Sequence, residues 1–317
     1  MAHMIEMRDG KAQMAWAGQT PWHGLGTKVP DDLTPEQMLE AAGLDWTVEK
    51  IPAYAEVNGK RVDVGHSALV RNVDSKVLDV VSNDWNPYQN SDAFDFFNDF
   101  IAAGDMSMHT AGSLKGGQIV WALAKVNDGF SLFNGDNVES YLLFTNPHQY
   151  GKSIDVRFTP IRVVCNNTLT LSLNTQAEHL VRVSHRREFV PDTVKEMLGI
   201  AKDKLSTYKE MAAFLGSKRY TNENIVEYFT RVFPMTTKTE EKKLSRNANM
   251  ALEIIDQQPG AEYAPGTFWS AFNTVSFMTD HVLGRSTDTR LQSSWFGYNK
   301  TLKNNALELA VEMANAA

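Results

Sequence analysis

One cysteine, Cys165, occurs in 317 residues. An internal disulfide and a Cys/His zinc cluster are therefore excluded, and a reducing compartment is expected. No apolar run reaches the roughly 20 residues a membrane span needs. The start MAHMIEMRDGKAQM has no apolar signal core, so a soluble, cytoplasmic protein is expected. Metal motifs are also missing. There is no HExxH, no paired-Asp motif and no calcium loop, and Asp280-His281 are adjacent residues on an expected helix, pointing apart. HQYGKS (148–153) ends like a phosphate-binding loop, but Asn146 stands where that loop needs glycine. A strand follows instead of a helix. Nucleotide hydrolysis is excluded, and neither cofactor nor metal is expected.

What is present is an ordinary globular composition, 43% hydrophobic and 22% charged, with net charge −7. The charge is uneven. Residues 1–104 hold 8 basic and 16 acidic residues, whereas 151–220 hold 12 and 7. A positive segment inside an acidic chain is either a solvated helix face or a meeting place for an anion.

Thr34-Pro35 with Gln37 predicts a capped helix over 34–42, stopped by Gly43. Two alternating runs around Asn58-Gly59 predict a hairpin, and a second follows over 67–82. Residues 91–104 read as one amphipathic helix, and 106–126 as a hairpin turning at Lys115-Gly116-Gly117. That turn is a hairpin tip whose lysine and amides are placed to touch phosphate. Strands are expected over 138–146 and 152–158. From about 190 the pattern is helical: 191–215, 222–232, 237–256, 266–283 and 298–315. The fold class is thus α+β: an antiparallel sheet built from hairpins with packed helices over 1–188, then a helical C-terminal region over 189–317.

The run FTPIRVVCNNTLTLSL (158–173) holds the cysteine. Thr159-Pro160 suits a helix start. A helix from there places Ile161, Val164, Cys165, Thr168 and Leu169 on an apolar face, with Arg162, Asn166, Thr170 and Asn174 opposite. Cys165 then packs as a small hydrophobe, since a nucleophile needs a base and neither His148 nor His179 is placed beside it. Basic and aromatic residues interleave nearby: Lys152, Arg157, Arg162, Arg182, Arg186 and Arg187 with Phe144, Tyr150 and Phe158. Cations along a backbone and rings under bases are what single-strand binding requires. The plainer alternatives are core aromatics and an Arg162 paired with a carboxylate. A further segment, 267–310, carries Trp269, Asn273, Asp280, His281, Arg285, Arg290 and Trp295-Phe296-Gly297. It reads as a packed helix pair with a buried tryptophan, or as a polar cluster clamping the C-terminal part or a second subunit.

QTPWHGLGTKVP (19–30), RFTPIRVVCNNTL (157–169) and the segment TFWSAFNTVSFMTDHVLGRSTDTRLQSSWFGYNKTLKNNALELA (267–310) together resemble the phage/plasmid-like protein family. The resemblance covers nearly the whole chain. It implies a mobile-element origin in phages, prophages or plasmids and a location in the bacterial host cytoplasm, but no reaction. In architecture the chain is also similar to phage single-strand annealing proteins of the RecT, Red-beta and Rad52-like kind. That similarity implies single-stranded DNA as partner and a homo-oligomer acting in recombination or replication. The expected site is Lys152, Arg157, Arg162, Asn166, Arg182, Arg186 and Arg187 on phosphates, with Tyr150 or Phe158 under bases. The competing expectations are an interaction protein that blocks a host enzyme or defence system, using its acidic part, and an enzyme built on Cys165 or a spatial polar cluster. A non-enzymatic protein is the reading taken forward.

Overall fold

The computed structural model describes residues 4–18, 21, 24–131, 137–162, 167–168, 180–235, 244–284, 293–294 and 297–317. Four short strands come first: β1 (Met7–Arg8), β2 (Lys11–Ala12), β3 (Met14–Trp16) and β4 (Thr27–Lys28). Helix α1 (Pro35–Ala41) then starts as the sequence predicts. Thr34 Oγ1 accepts from Gln37 N at 3.2 Å, and Gln37 Oε1 accepts from Thr34 N at 2.9 Å. Two orphan amides of the helix end are thereby satisfied.

Strands β5 (Val48–Val57), β6 (Lys60–Arg71) and β7 (Val77–Ser82) form an antiparallel three-stranded sheet in the order β5-β6-β7. Asn58 and Gly59 take φ of 51° and 72°, the left-handed pair that a tight two-residue hairpin turn needs. The first turn of β5 is closed at its outer edge by one side chain. Gln89 accepts from Val48 N and donates to Val48 O, both at 3.0 Å, as a neighbouring strand would.

Helices α2 (Asn90–Asp95) and α3 (Asn98–Ala102) replace the single helix expected over 91–104. The break falls at Phe96-Phe97, which are 2% and 0% exposed. A continuous helix turns adjacent residues about 100° apart. The break lets both rings enter the same aromatic core, with Phe144 and Phe189.

Strands β8 (Met106–Leu114) and β9 (Ile119–Ser131) pair as the third predicted hairpin, followed by β10 (Asn137–Pro147), β11 (Ser153–Arg162), β12 (Asn167–Thr168) and β13 (Leu180–Ser184). Among the described residues the large sheet has eight strands. Its path is β12-β11-β10-β9-β8-β3-β4, and β13 also pairs with β11.

Here one expectation is overturned. No helix starts at Thr159-Pro160; β11 runs through both to Arg162, where Ile161 pairs with Thr168 and Arg162 with Asn167. The cap pair is a weak local preference, and strand pairing on the sheet wins. Cys165 and Asn166 lie outside the described residues, as does the side chain of Arg162.

The remaining helices are α4 (Pro191–Ser217), α5 (Asn222–Val232), α6 (Arg246–Ile254), α7 (Phe268–Phe277) and α8 (Tyr298–Ala316). A π-turn over Met278–Val282 follows α7. The expected helix over 237–256 begins at Arg246, where Ser245 caps Ala248 N at 3.1 Å; residues 236–243 lie outside the described residues. The chain is α+β, with its C-terminal part helical.

Two compact units result. One comprises 1–127, 141–158 and 180–198; the other comprises 128–140, 159–179 and 199–317. No described helix is long and apolar enough to cross a membrane.

Candidate functional site

In the first unit a buried charge network positions a surface turn. Arg71, 1% exposed, bonds Glu6 at 2.7 Å and forks onto Asp74 at 2.9 and 2.6 Å. Ser113 donates to the other Glu6 oxygen at 2.8 Å. The hydrogen bonds from Arg71 hold the Asp74 carboxyl below its usual range. Asp74 in turn accepts from Lys76 N at 3.2 Å, shaping the tight β6–β7 turn.

Three turns meet beside this network. Lys76 Nζ donates to Gly116 O at 2.7 Å, across to the β8–β9 turn. Gln118, just past that turn, accepts from His148 N at 2.8 Å and donates to Leu78 O at 2.6 Å. Tyr150 N, in the β10–β11 turn, donates to Asp79 at 2.8 Å. Lys76, Lys115 and Lys152 are thereby gathered, with Tyr150 exposed among them. Burial, then the nearby charge of Lys152, pushes the Lys115 ammonium below its ordinary pKa. Gly117 is required here: its φ is 98°, and a Cβ would lie 2.7 Å from Arg71 Nη1. Gly117→Ala is expected to lower stability by about 1–3 kcal/mol, read as a shift in urea midpoint.

The residues expected from the sequence divide in two. Lys152, Arg182, Arg186, Arg187 and Tyr150 are exposed. Ser153 pairs with Ser184, so Arg186 and Arg187 follow the ladder end nearest Lys152. Arg182 faces Asp155 at 3.3 Å and Arg186 faces Asp84 at 2.9 Å, which reduces their net field. Arg157 and Phe158 are buried, and from there neither meets phosphate or base. On the sheet Arg157 pairs with Leu180 of β13. Burial pushes the Arg157 guanidinium down to about 10, with Asp155 opposing. Lys76 and its contact with the β8–β9 turn carry no sequence signal; the residues are 40 apart.

Beneath the surface lies a neutral histidine pair. His148 Nε2 donates to Asn90 Oδ1 at 3.0 Å, and Asn90 Nδ2 donates to Leu44 O at 3.0 Å. His185 Nδ1 donates to Asn86 O at 3.0 Å, and its ring stacks on Trp85 at 4.0 Å. Desolvation pushes His148 down to about 3 and His185 down to about 4. Among the described residues Nδ1 of His148 has no hydrogen-bond partner. These histidines hold loops; they do not reach the surface.

The helical unit contains a second polar cluster. Lys303 Nζ on α8 bonds Asp280 Oδ1 in the π-turn at 2.8 Å, both side chains buried. Thr279 O accepts from Asn299 Nδ2 at 2.6 Å and from Ser294 Oγ at 3.4 Å. Trp269 is fully buried on α7, as a packed helix pair requires. Asn273 is fully buried too, with neither amide atom hydrogen-bonded. Arg285, Arg290, Trp295 and Phe296 lie outside the described residues. Among the described residues no group of three or more His, Cys, Asp or Glu side chains is placed to hold a metal.

Comparison with curated proteins and with solved structures finds no match. A family model, described as a domain of unknown function (DUF932), matches residues 77–295. That span includes β7, the β8–β9 and β10–β11 turns and α7, and the chain belongs to the DUF932 family.

Proposed function

We propose that this chain is a non-enzymatic protein of a mobile element that holds single-stranded DNA on its lysine surface. The observation that carries the reading is the convergence of Lys76, Lys115 and Lys152 from three separate turns, joined by the hydrogen bond from Lys76 to Gly116 O. Ammonium groups so placed gain from a polyanion, which relieves their mutual repulsion. Exposed Arg187 and the half-neutralised Arg182 and Arg186 extend the positive track, and Tyr150 offers a ring on which a base stacks. The sequence resemblance to phage and plasmid proteins supports the setting, recombination or replication in a bacterial cytoplasm.

Anisotropy of a labelled single strand, titrated at several salt concentrations, tests it. Each phosphate contact contributes about −0.7 to the slope of log K against log salt. Replacing the three lysines by alanine should therefore flatten the slope by about 2. Tyr150→Ala should cost roughly 1–3 kcal/mol with little change in slope. Absence of binding at low salt, or an unchanged slope in the triple variant, rejects the reading.

A second reading, engagement of a basic host protein, is favoured by exposed Asp92, Asp95 and Asp99 on α2 and α3. A single stoichiometric host partner recovered without DNA binding would decide for it.

A further inference from the structure

The three-stranded sheet has two faces of different character. The inner face buries Val48, Leu69, Arg71, Leu78 and Val81. Beyond Pro52 the β5–β6 hairpin leaves this support and continues as a two-stranded arm, with nearly every residue from 54 to 66 exposed. The ladder shifts between Pro52 and Tyr54, and Gly65 bends the return strand at φ 68°. On its own, a two-stranded ribbon is marginal in water.

Register defines the outer face. Glu49 pairs with Val70, Ile51 with Ala68, Ala55 with Val62, and Val57 with Lys60. Ala68 pairs onward with Val80, and Val70 with Val77. Cross-strand partners share a face and alternate residues share a face. Ile51, Ala68, Val70, Val77 and Val80 therefore share the outer face of the sheet, and Ala55, Val57 and Val62 share one face of the arm beyond the register shift. Ile51, Val57, Val62, Val77 and Val80 are 43–54% exposed. The arm's other face is polar and internally paired: Arg61 lies over the Tyr54 ring at 3.9 Å, beside Glu56 and Asp63. So the ribbon is amphipathic, with its apolar side uncovered. Contiguous exposed apolar surface of this kind marks an interaction site.

Charge placement names the occupant. Within these cross-strand pairs the charged members are Glu49 at the sheet end and Lys60 at the arm tip, eight residues along β5 from one another through the Val57 pairing. A two-fold axis near Ala53 lays Glu49 of one copy over Lys60 of the other, twice, with the valines between them. A nucleic acid has no use for this face, whose net charge is close to zero. We propose that this outer face packs against the same face of a second copy, forming a two-fold dimer of stacked sheets.

Light scattering and sedimentation of the full chain at tens of micromolar test the proposal. The wild type is expected at about twice the 35.5 kDa chain mass. Val62→Glu, at an exposed arm position, is expected to give a monomer with unchanged circular dichroism. Glu49→Lys or Lys60→Glu alone should weaken association roughly tenfold or more, through like-charge contact. The double swap Glu49→Lys/Lys60→Glu should restore it. A monomeric wild type overturns the proposal. So does a dimer indifferent to Val62→Glu, or a double swap no better than either single change. Protection of 55–64 from hydrogen exchange only on adding single-stranded DNA would assign the face to nucleic acid and equally overturn it.

Discussion

Lys303→Met is expected to destabilise the helical unit by about 3–5 kcal/mol. The substitution keeps most of the side-chain volume but removes the ammonium 2.8 Å from Asp280. Both groups are buried, at 0% and 7% side-chain exposure, so water cannot replace the lost partner. A buried carboxylate that loses a charge-paired cation loses part of what offsets its desolvation. The pair also joins α8 to the π-turn after α7, so its loss loosens the strongest helix pairing of that unit. Removing both charges tests the argument. Lys303→Met with Asp280→Leu should recover most of the loss, because an apolar pair of similar volume is often as stable as a buried ion pair. Urea unfolding of the two singles and the double gives the cycle. A single substitution costing less than about 1 kcal/mol, or a double costing the sum of both singles, would refute this account.

Acid sensitivity between pH 6.5 and about 4 is the second large expected effect. His148 and His185 sit at about 3 and about 4 in the folded protein, against an ordinary value of 6.5. In that window the unfolded chain binds two protons that the folded chain refuses. Stability therefore falls as the pH drops below 6.5, and neither histidine makes it depend on pH above that point. The slope approaches about 1.4 kcal/mol per pH unit for each histidine, before any carboxylate contributes. His148→Gln can still donate to Asn90 while adding no proton site. It should lose some stability at pH 7 and roughly half of the slope. Urea midpoints measured every half unit would show it. A wild-type midpoint that stays flat from pH 6.5 to 4.5 would exclude neutral buried histidines.

Local chemistry was legible in the sequence because its partners are local. The Thr34–Gln37 box spans three residues, and the Asn58-Gly59 turn needs only its own two left-handed positions. The alternation on either side of that turn also foretells an antiparallel sheet. Thr159-Pro160 misled for the same reason: its cap chemistry is local, and the pairing of Arg162 with Asn167 that overrides it depends on the sheet. Phe96-Phe97 broke a helix because both rings found partners far along the chain.

The candidate site follows the same division. Lys152, Arg182, Arg186, Arg187 and Tyr150 stand in or beside one positive segment, where counting finds them. Lys76 is recruited through Asp74 and Arg71, whose other partner, Glu6, is 65 residues away. Lys303 and Asp280 are 23 apart on different elements, and nothing in their spacing announces an ion pair. Arg157 and Phe158 look like their exposed neighbours in sequence, yet both are buried in the fold.

The amide of Gln89 on Val48 has a consequence for how copies of the chain add together. An unpaired outer strand is a template for endless edge-to-edge growth. On β5 that template is interrupted twice, since Gln89 occupies both backbone groups of Val48 and Pro52 has no N–H to offer. Lateral extension at the β5 edge is thus hindered, while the outer face stays open. Association through a face related by a two-fold axis closes on itself after one step. A two-fold pairing of the valine faces would therefore stop at a finite particle and not grow into a fibre.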